Sequence, residues 1–315
     1  MTAVIDPPTT AEDDTAASPP PTPRLPAGER WTRRLPLLPA LVFTIVVTQI
    51  PFLLTIFYSL QSWNLVRPGS QRWVWFENYG RVFADSQFRG VALNTVLMTV
   101  GSVLIAVVLG LVLALLLNRH FLGRGVVRTL LVTPFLITPV AAALLWKTTL
   151  LDPTYGLINF VLGDAGVDWV SNFPLASVMA ALVWQWTPFM MLLLLAGLQS
   201  MPSDQLEAAR VDGASAWSTF RELTLPHLRR FIELGVVLGT IYLVNTFDTV
   251  YMMTQGGPGV SSANLPFYIY QRAFLGFDIG QSAAMGVVVV ILTLIAANFA
   301  LRLIFRSFSG EQEAA

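Results

Sequence analysis

The sequence contains no cysteine. That excludes disulfides, thiol catalysis and cysteine-ligated zinc together. Histidine occurs twice, at His120 and His227, too rarely for a histidine-rich metal centre. Lysine occurs once, in Leu145-Trp146-Lys147-Thr148, and every other basic residue is arginine. A phosphate-cradling P-loop needs its lysine beside a glycine-rich turn, so the chain has no ATP site of that kind. Neither histidine falls at catalytic spacing from a serine or aspartate. No catalytic residue, metal or cofactor is therefore expected. Charge is scarce as well: 12% of residues are charged and the formal net charge is +0. A soluble domain carries about twice that share, and without a basic field there is nothing to hold nucleic acid.

What is abundant is apolar surface. Of 315 residues, 54% are hydrophobic, and the mean hydropathy is +0.62. A membrane helix needs about 20 apolar residues. Six windows meet that length, at about 35–60, 93–117, 126–150, 175–198, 231–254 and 282–305. The reading is an all-α integral membrane protein with six transmembrane helices and a membrane domain over 35–305. Pro51, Pro134, Pro139 and Pro188 lie inside these windows, where neighbouring helices can satisfy the carbonyls that proline frees. Residues 1–34, rich in Pro, Thr, Ala and Asp, read as a disordered tail, and 306–315 as a second short tail. No charged start precedes a short apolar run, so a secretory signal is not expected.

With the N-terminus placed in the cytoplasm, thirteen of the 19 basic residues fall on the inner side. The positive-inside rule then puts both termini in the cytoplasm. Trp63, Trp73, Trp75, Trp146 and Trp169 fall near the outer face, where aromatic anchors are expected. There is no repeat of 20–50 residues and no similarity between the two three-span halves, which speaks against a carrier built from inverted repeats.

The inner loop 199–230 stands apart. Pro202-Ser203-Asp204 reads as a helix start with Ser203 as its cap, and Asp212-Gly213 as its stop. A second helix of about 216–223 should end before Pro226. Leu206, Ala209, Phe220 and Leu223 can share one apolar face, while Ala208 and Ala209 offer a low-relief surface. The pattern fits either an amphipathic connector on the inner leaflet or a docking surface for a partner.

Glu207-Ala208-Ala209-Arg210-Val211-Asp212-Gly213, followed by Leu225-Pro226, resembles the EAA loop of ATP-binding-cassette (ABC) importer permeases. The blocks Val183–Met191, Val250–Gly259, Tyr268-Ile269-Tyr270 and Gly280–Ala284 keep the order of the carbohydrate-uptake, maltose-permease-like branch. The motifs Trp63-Asn64-Leu65, Asp152-Pro153, Pro226-His227-Leu228 and Gly257-Pro258-Gly259 are similar to its sorbitol and mannitol permeases. The resemblance implies a type I importer permease fold in a bacterial cytoplasmic membrane. It implies that Glu207, Ala208, Ala209, Asp212, Gly213, Leu225 and Pro226 couple the chain to an ATPase. It also implies partners: a sister permease, two ABC ATPase subunits and an extracellular or lipid-anchored solute-binding protein.

The cargo implied is a sugar or a mannitol- or sorbitol-type polyol. A disaccharide or glycerol 3-phosphate is the alternative, and an ion-coupled carrier a more distant one. Polar and aromatic residues near mid-depth would line the path: Gln185, Trp186 and Phe189 in span four, and Tyr242, Asn245, Thr246 and Asp248 in span five. Leu182, Gln185, Trp186 and Phe189 share a face by i, i+3/i+4 spacing. Amides bind hydroxyl groups and aromatic faces pack on C–H surfaces. The resemblance sets Trp186 where the maltose-type permease has glycine, which implies a smaller pocket. Gln185 and Asn245 are equally suited to helix-to-helix hydrogen bonds, and Asp248 to pairing with a sister subunit.

Overall fold

The computed structural model describes residues 37–163 and 166–312, with side chains through residue 295. The expected tail 1–34 lies outside the described residues. The chain divides into two compact units between Phe52 and Leu53, within its first long helix, α1 (Leu38–Ser59). The described part of the first unit is helical and exposes Leu41, Phe43, Val47 and Ile50. Thr44 and Thr48 turn their hydroxyls back onto Ala40 O (2.9 Å) and Thr44 O (2.7 Å). With its polar groups satisfied internally and its apolar side chains outward, this helix suits a lipid surround.

The second unit begins at Leu53. After α1 come a short antiparallel hairpin (β1, Gln61–Ser62; β2, Arg72–Trp73) and α2 (Glu77–Ala84). The long α3 (Ser86–Leu117) follows, then α4 (Arg124–Leu136), α5 (Pro139–Leu145), α6 (Leu157–Leu162), α7 (Trp169–Asn172) and α8 (Pro174–Gln199). The loop helices are α9 (Ser203–Val211) and α10 (Ala216–Thr219). Beyond them lie α11 (Leu225–Val244), α12 (Asp248–Met253), α13 (Leu265–Tyr270) and α14 (Ile279–Gln312). Wide π-type turns extend α5 (Trp146–Leu150), α10 (Phe220–Thr224) and α13 (Gln271–Leu275).

Each of the six expected windows coincides with helix, but not with six simple spans. Among the described residues three helices are long and apolar enough to cross a membrane, α1, α3 and α8, or four if the bent pair α4 and α5 forms one span. The window 126–150 is bent by 102° at Ile137-Thr138. The window 231–254 is interrupted after Val244, and α11 carries Arg229, Arg230 and Glu233 near its start. The last window lengthens: α14 is helical from 279 to 312, past the expected end at 305, so the short tail expected at 306–315 is helix as far as its described residues go.

The core of this unit is α3 against α8, running parallel. A Cβ on Gly110 would sit 2.7 Å from Met190 Cβ and 2.8 Å from the Met191 backbone nitrogen, so the two backbones touch there. Helix α11 runs antiparallel to both: Leu228 and Phe231 meet Gly197, while Gly239 meets Met190 and Val103. Ala114, Leu117, Met191, Leu194, Leu195 and Leu228 close the end that carries α9 and α10. At the opposite end Asp85 caps α3 by accepting from Gln87 N (2.9 Å), and also receives Tyr268 OH (2.8 Å) and Arg272 (3.0 Å). Burial alone would raise the Asp85 carboxyl. The hydrogen bonds from Tyr268 and Gln87 and the charge of Arg272 outweigh it and hold the carboxyl below the usual carboxylate range.

This packing can be tested at two points. Gly110→Val should lower the detergent-solubilised melting temperature by an overpacking cost of about 1–3 kcal/mol; an unchanged melt would mean α3 and α8 part readily. A depressed folded-state pKa contributes stability that is full above the ordinary carboxylate range and is lost as pH falls through the folded value. Melting of the wild type should therefore drop as pH is lowered from about 5 to about 3, and Asp85→Asn should flatten that part of the profile.

Candidate functional site

Two helix interruptions organise the middle of the bundle. The first lies between α4 and α5. Proline disfavours helix in the residue before it, and Ile137 (ψ 138°) and Thr138 (ψ 145°) ahead of Pro139 are extended. Gln185, only 6% exposed, donates its Nε2 to the Ile137 carbonyl at 2.9 Å. The second interruption is Asn245-Thr246-Phe247. Asn245 is exposed and folds its Nδ2 back onto Ile241 O (2.8 Å). The Thr246 carbonyl accepts from Asn264, which is fully buried and also caps α13 by accepting from Phe267 N (3.2 Å). Asp248 opens α12 at an exposed position. Beyond the interruptions α5 packs on α12, and Lys147 Nζ donates to Met252 O at 3.3 Å.

Beside the first interruption four rings meet. Trp186 lies 5.3 Å from Tyr242, 5.8 Å from Phe189 and 5.7 Å from Phe135, and Phe135 stacks on Phe189 at 5.7 Å. Three of these rings, Trp186, Phe189 and Tyr242, are among the residues the sequence put on the path. The structure groups them. It engages Gln185 with backbone, turns Asn245 onto its own helix and uses the Thr246 carbonyl as an acceptor. Phe135 was not singled out from sequence; its place between Pro134 and Pro139 is the one signal that could have found it. Tyr242 is 61% exposed, so the quartet forms an open face of this chain.

At one end of the bundle the motif loop is laid out as two helices. Glu207 and Ala208 are exposed on α9, with Leu206 and Ala209 half-buried. Asp212 N and Gly213 N bond back to Ala208 O (2.9 Å) and Arg210 O (3.1 Å), and Ala214 N to Ala209 O (2.9 Å). Gly213 has φ +78°, the left-handed turn that ends a helix and suits glycine. Val211 and Trp217 are exposed, and Trp217 stacks on Phe220 at 5.7 Å.

Two local expectations are corrected here. Pro202, not Ser203, precedes the first helical residue, and Ser203 Oγ points to Asp204 (3.2 Å) rather than to a backbone amide. The second loop helix does not stop before Pro226: helix continues from Ala216 to Val244. The wide turn Phe220–Thr224 makes this possible, with Leu225 N reaching back to Phe220 O. Widening the turn relieves the clash between a proline ring and the carbonyl four residues earlier. His227 is half-buried, its Nε2 3.1 Å from both Gly197 O and Ser200 Oγ. It ties the end of α8 to the start of α11.

Gly213→Asp should keep the fold, since nothing lies within 4 Å of a Cβ there, yet strain the left-handed turn. If the loop couples to an ATPase as its resemblance implies, the expected outcome is normal membrane insertion with loss of ATP-dependent transport or of ATPase capture; unaltered transport would remove the loop from that role.

Comparison with known proteins shows the family and the fold. The family profile described as "binding-protein-dependent transport system inner membrane component" matches residues 106–310. The chain is 38% identical over 278 residues to the probable ABC transporter permease protein y4oQ of Sinorhizobium fredii, covering 87% of this chain and 89% of that one. It is 35% identical to the sulfoquinovosyl glycerol transport system permease protein SmoG of Agrobacterium fabrum, covering 89% and 92%. It is 34% identical to the trehalose/maltose transport system permease protein MalF of Thermococcus litoralis, covering 82% and 89%. Among solved structures, a bacterial ABC transporter involved in import of the acidic polysaccharide alginate has the same fold, with TM-score 0.76 over 89% of this chain and 96% of that one at 22% identity.

Proposed function

Because the chain belongs to the family of binding-protein-dependent transport system inner membrane components, we propose that it is one of two membrane subunits of an ATP-driven carbohydrate importer. The observation that carries this reading is the exposed α9–α10 loop, which presents Glu207, Ala208, Val211 and Trp217 at the end of the bundle. The sequence has no P-loop, so the energy comes from a separate ATPase pair. Each ATPase offers a cleft, and one loop of this kind fills one cleft. A sister permease brings the second loop, and a solute-binding protein delivers the cargo at the opposite end. On this reading the α9–α10 end and both termini face the cytoplasm of a bacterium.

A neutral polyhydroxyl molecule gains nothing from the membrane potential, so uphill uptake needs this coupled source. ATP-driven closure of the ATPases moves the loop and switches the bundle between inward- and outward-facing arrangements, a rigid-body transition. Glu207, Ala208, Ala209, Asp212 and Gly213 form the seat, and Leu225 and Pro226 join it to α11. The path runs past the open quartet. Trp186, Phe189 and Tyr242 offer C–H-binding faces, and the sister chain completes the lining. Asn245 and Asp248, both exposed, lie next along the path, and Gln185 and Thr246 hold its walls.

The cargo best suited to the quartet is a monosaccharide-sized sugar or polyol of the mannitol or sorbitol type, because the Trp186 indole occupies space that a larger ligand would need. A disaccharide is the second reading, supported by the trehalose/maltose permease among the relatives. Uptake of labelled mannitol and sorbitol by cells with and without the gene, competed by maltose, trehalose and glycerol 3-phosphate, separates these. Gene-dependent uptake competed only by polyols is expected. Trp186→Gly should widen the preference towards disaccharides; an unchanged size preference would sink the role given to Trp186.

A further inference from the structure

A second aromatic cluster lies on the other side of the α11–α12 interruption from the quartet. Phe247, at the interruption, stacks on Tyr251 (5.4 Å, 18°) and meets Tyr270 edge-on (5.2 Å). Phe267 and Tyr270 pack at 6.2 Å, and Phe274 continues the row 5.4 Å from Tyr270. Three of these rings, Tyr251, Phe267 and Tyr270, wall a cavity of about 170 Å³ that is also lined by Gln255, Gln271 and Leu275. At roughly 30 Å³ per liquid water that is the space of five or six waters, enough for one sugar ring. Tyr251 lies on α12, past the interruption and away from the α9–α10 loop end of α11.

The lining combines two amides with aromatic faces and carries no charge. Arg272, next in sequence to Gln271, is engaged by Asp85 (3.0 Å) and Tyr268 instead. Gln255 is exposed and Gln271 half-buried, and among the described residues neither side chain is engaged by the protein, which leaves both amides available to a ligand. Amides of this kind answer hydroxyl groups bidentately, and the rings answer an apolar C–H face.

The backbone around the cavity is shaped at both amides. Gln255 is held at φ +50°, a left-handed conformation that glycine would adopt without cost. Its N–H bonds to Val250 O (2.9 Å) at the end of α12, and the following loop is pinned by Ser262 Oγ to Thr254 Oγ1 (2.8 Å) and Gly257 O (3.0 Å). A glutamine therefore stands where the local fold favours glycine. Gln271 opens the π-type turn Gln271–Leu275, closed by Gly276 N to Gln271 O (2.8 Å). Such widened turns recur at functional sites.

We propose that this cavity is an outer station for a neutral polyhydroxyl ligand, holding one sugar ring on Tyr251 and Tyr270 with Gln255 and Gln271 on its hydroxyls. The ligand rests there before it passes the interruption to the Trp186–Tyr242 level. The station rests on the carbohydrate-importer reading above and adds a site to it.

The test uses the complete transporter, with sister permease, ATPase and binding protein, in proteoliposomes. Uptake of labelled mannitol, maltose and trehalose is measured together with ATP hydrolysis for the wild type, Gln255→Gly, Gln271→Leu and the double variant. The expected result is a fall of about tenfold in sugar moved per ATP for the double variant, the worth of two neutral hydrogen bonds. The melting temperature of Gln255→Gly should stay at the wild-type value, because glycine accepts the same backbone angle. An unchanged sugar-to-ATP ratio in the double variant overturns the station and leaves the importer reading standing. A transport loss that tracks a loss of thermal stability assigns these residues to structure and also overturns it. A wild-type transporter that moves none of the three sugars overturns the carbohydrate reading and the station with it.

Discussion

Every interruption of a helix releases backbone groups, and a chain this apolar has little water nearby to receive them. The arrangement of the bundle depends on how those groups are satisfied. At Ile137 the carbonyl is taken by Gln185 from α8. At Thr246 it is taken by Asn264 from beyond α12, and Asn245 returns to Ile241 in its own helix. Hydrogen bonds between membrane helices are worth about 0.6–2 kcal/mol each, a modest sum. Their larger effect is positional, since each one pins a bend to a neighbouring helix. With the bends pinned, α5 and α12 pack together and the rings of Phe135, Trp186, Phe189 and Tyr242 gather beside them.

The apolar windows of the sequence located every long helix, because length and hydropathy are local properties. The bends were less legible. Pro51, Pro134, Pro139 and Pro188 look alike in sequence, yet only Pro139 stands at a break. The difference is tertiary: a buried amide faces the Ile137 carbonyl. The interruption at Asn245-Thr246-Phe247 has no proline or glycine to announce it, and its main partner, Asn264, lies 18 residues away. For the same reason the sequence could nominate Gln185 and Asn245 as polar residues at mid-depth but not say whether they face a ligand or a carbonyl. The loop motif was more legible, since Gly213 stops a helix by backbone conformation alone. Pro226 misled, because a π-type turn lets helix pass through it.

That uninterrupted helix has a mechanical consequence. Ala216 to Val244 is one helical rod, roughly 40 Å long at 1.5 Å per residue. It joins the exposed loop at one end to Tyr242 beside the quartet. His227 ties its base to the end of α8, which carries Trp186 and Phe189. A displacement of the loop would therefore reach α11 and α8, the two helices that carry Tyr242, Trp186 and Phe189. A flexible linker before Pro226 would have absorbed it.

On the importer reading proposed above, the open face of the quartet is the surface a sister subunit would cover. Tyr242 is 61% exposed, and a polyhydroxyl ligand held on one side only would be bound weakly, with most of its hydroxyls still in water. A second subunit closing over the face would desolvate the ligand and supply the remaining hydrogen bonds. If the proposed switch moved the two subunits apart it would reopen the face, and binding and release would be two positions of one interface. On that proposal a chain without a P-loop would contribute one lever and one wall, and the energy and the second wall would arrive with its partners.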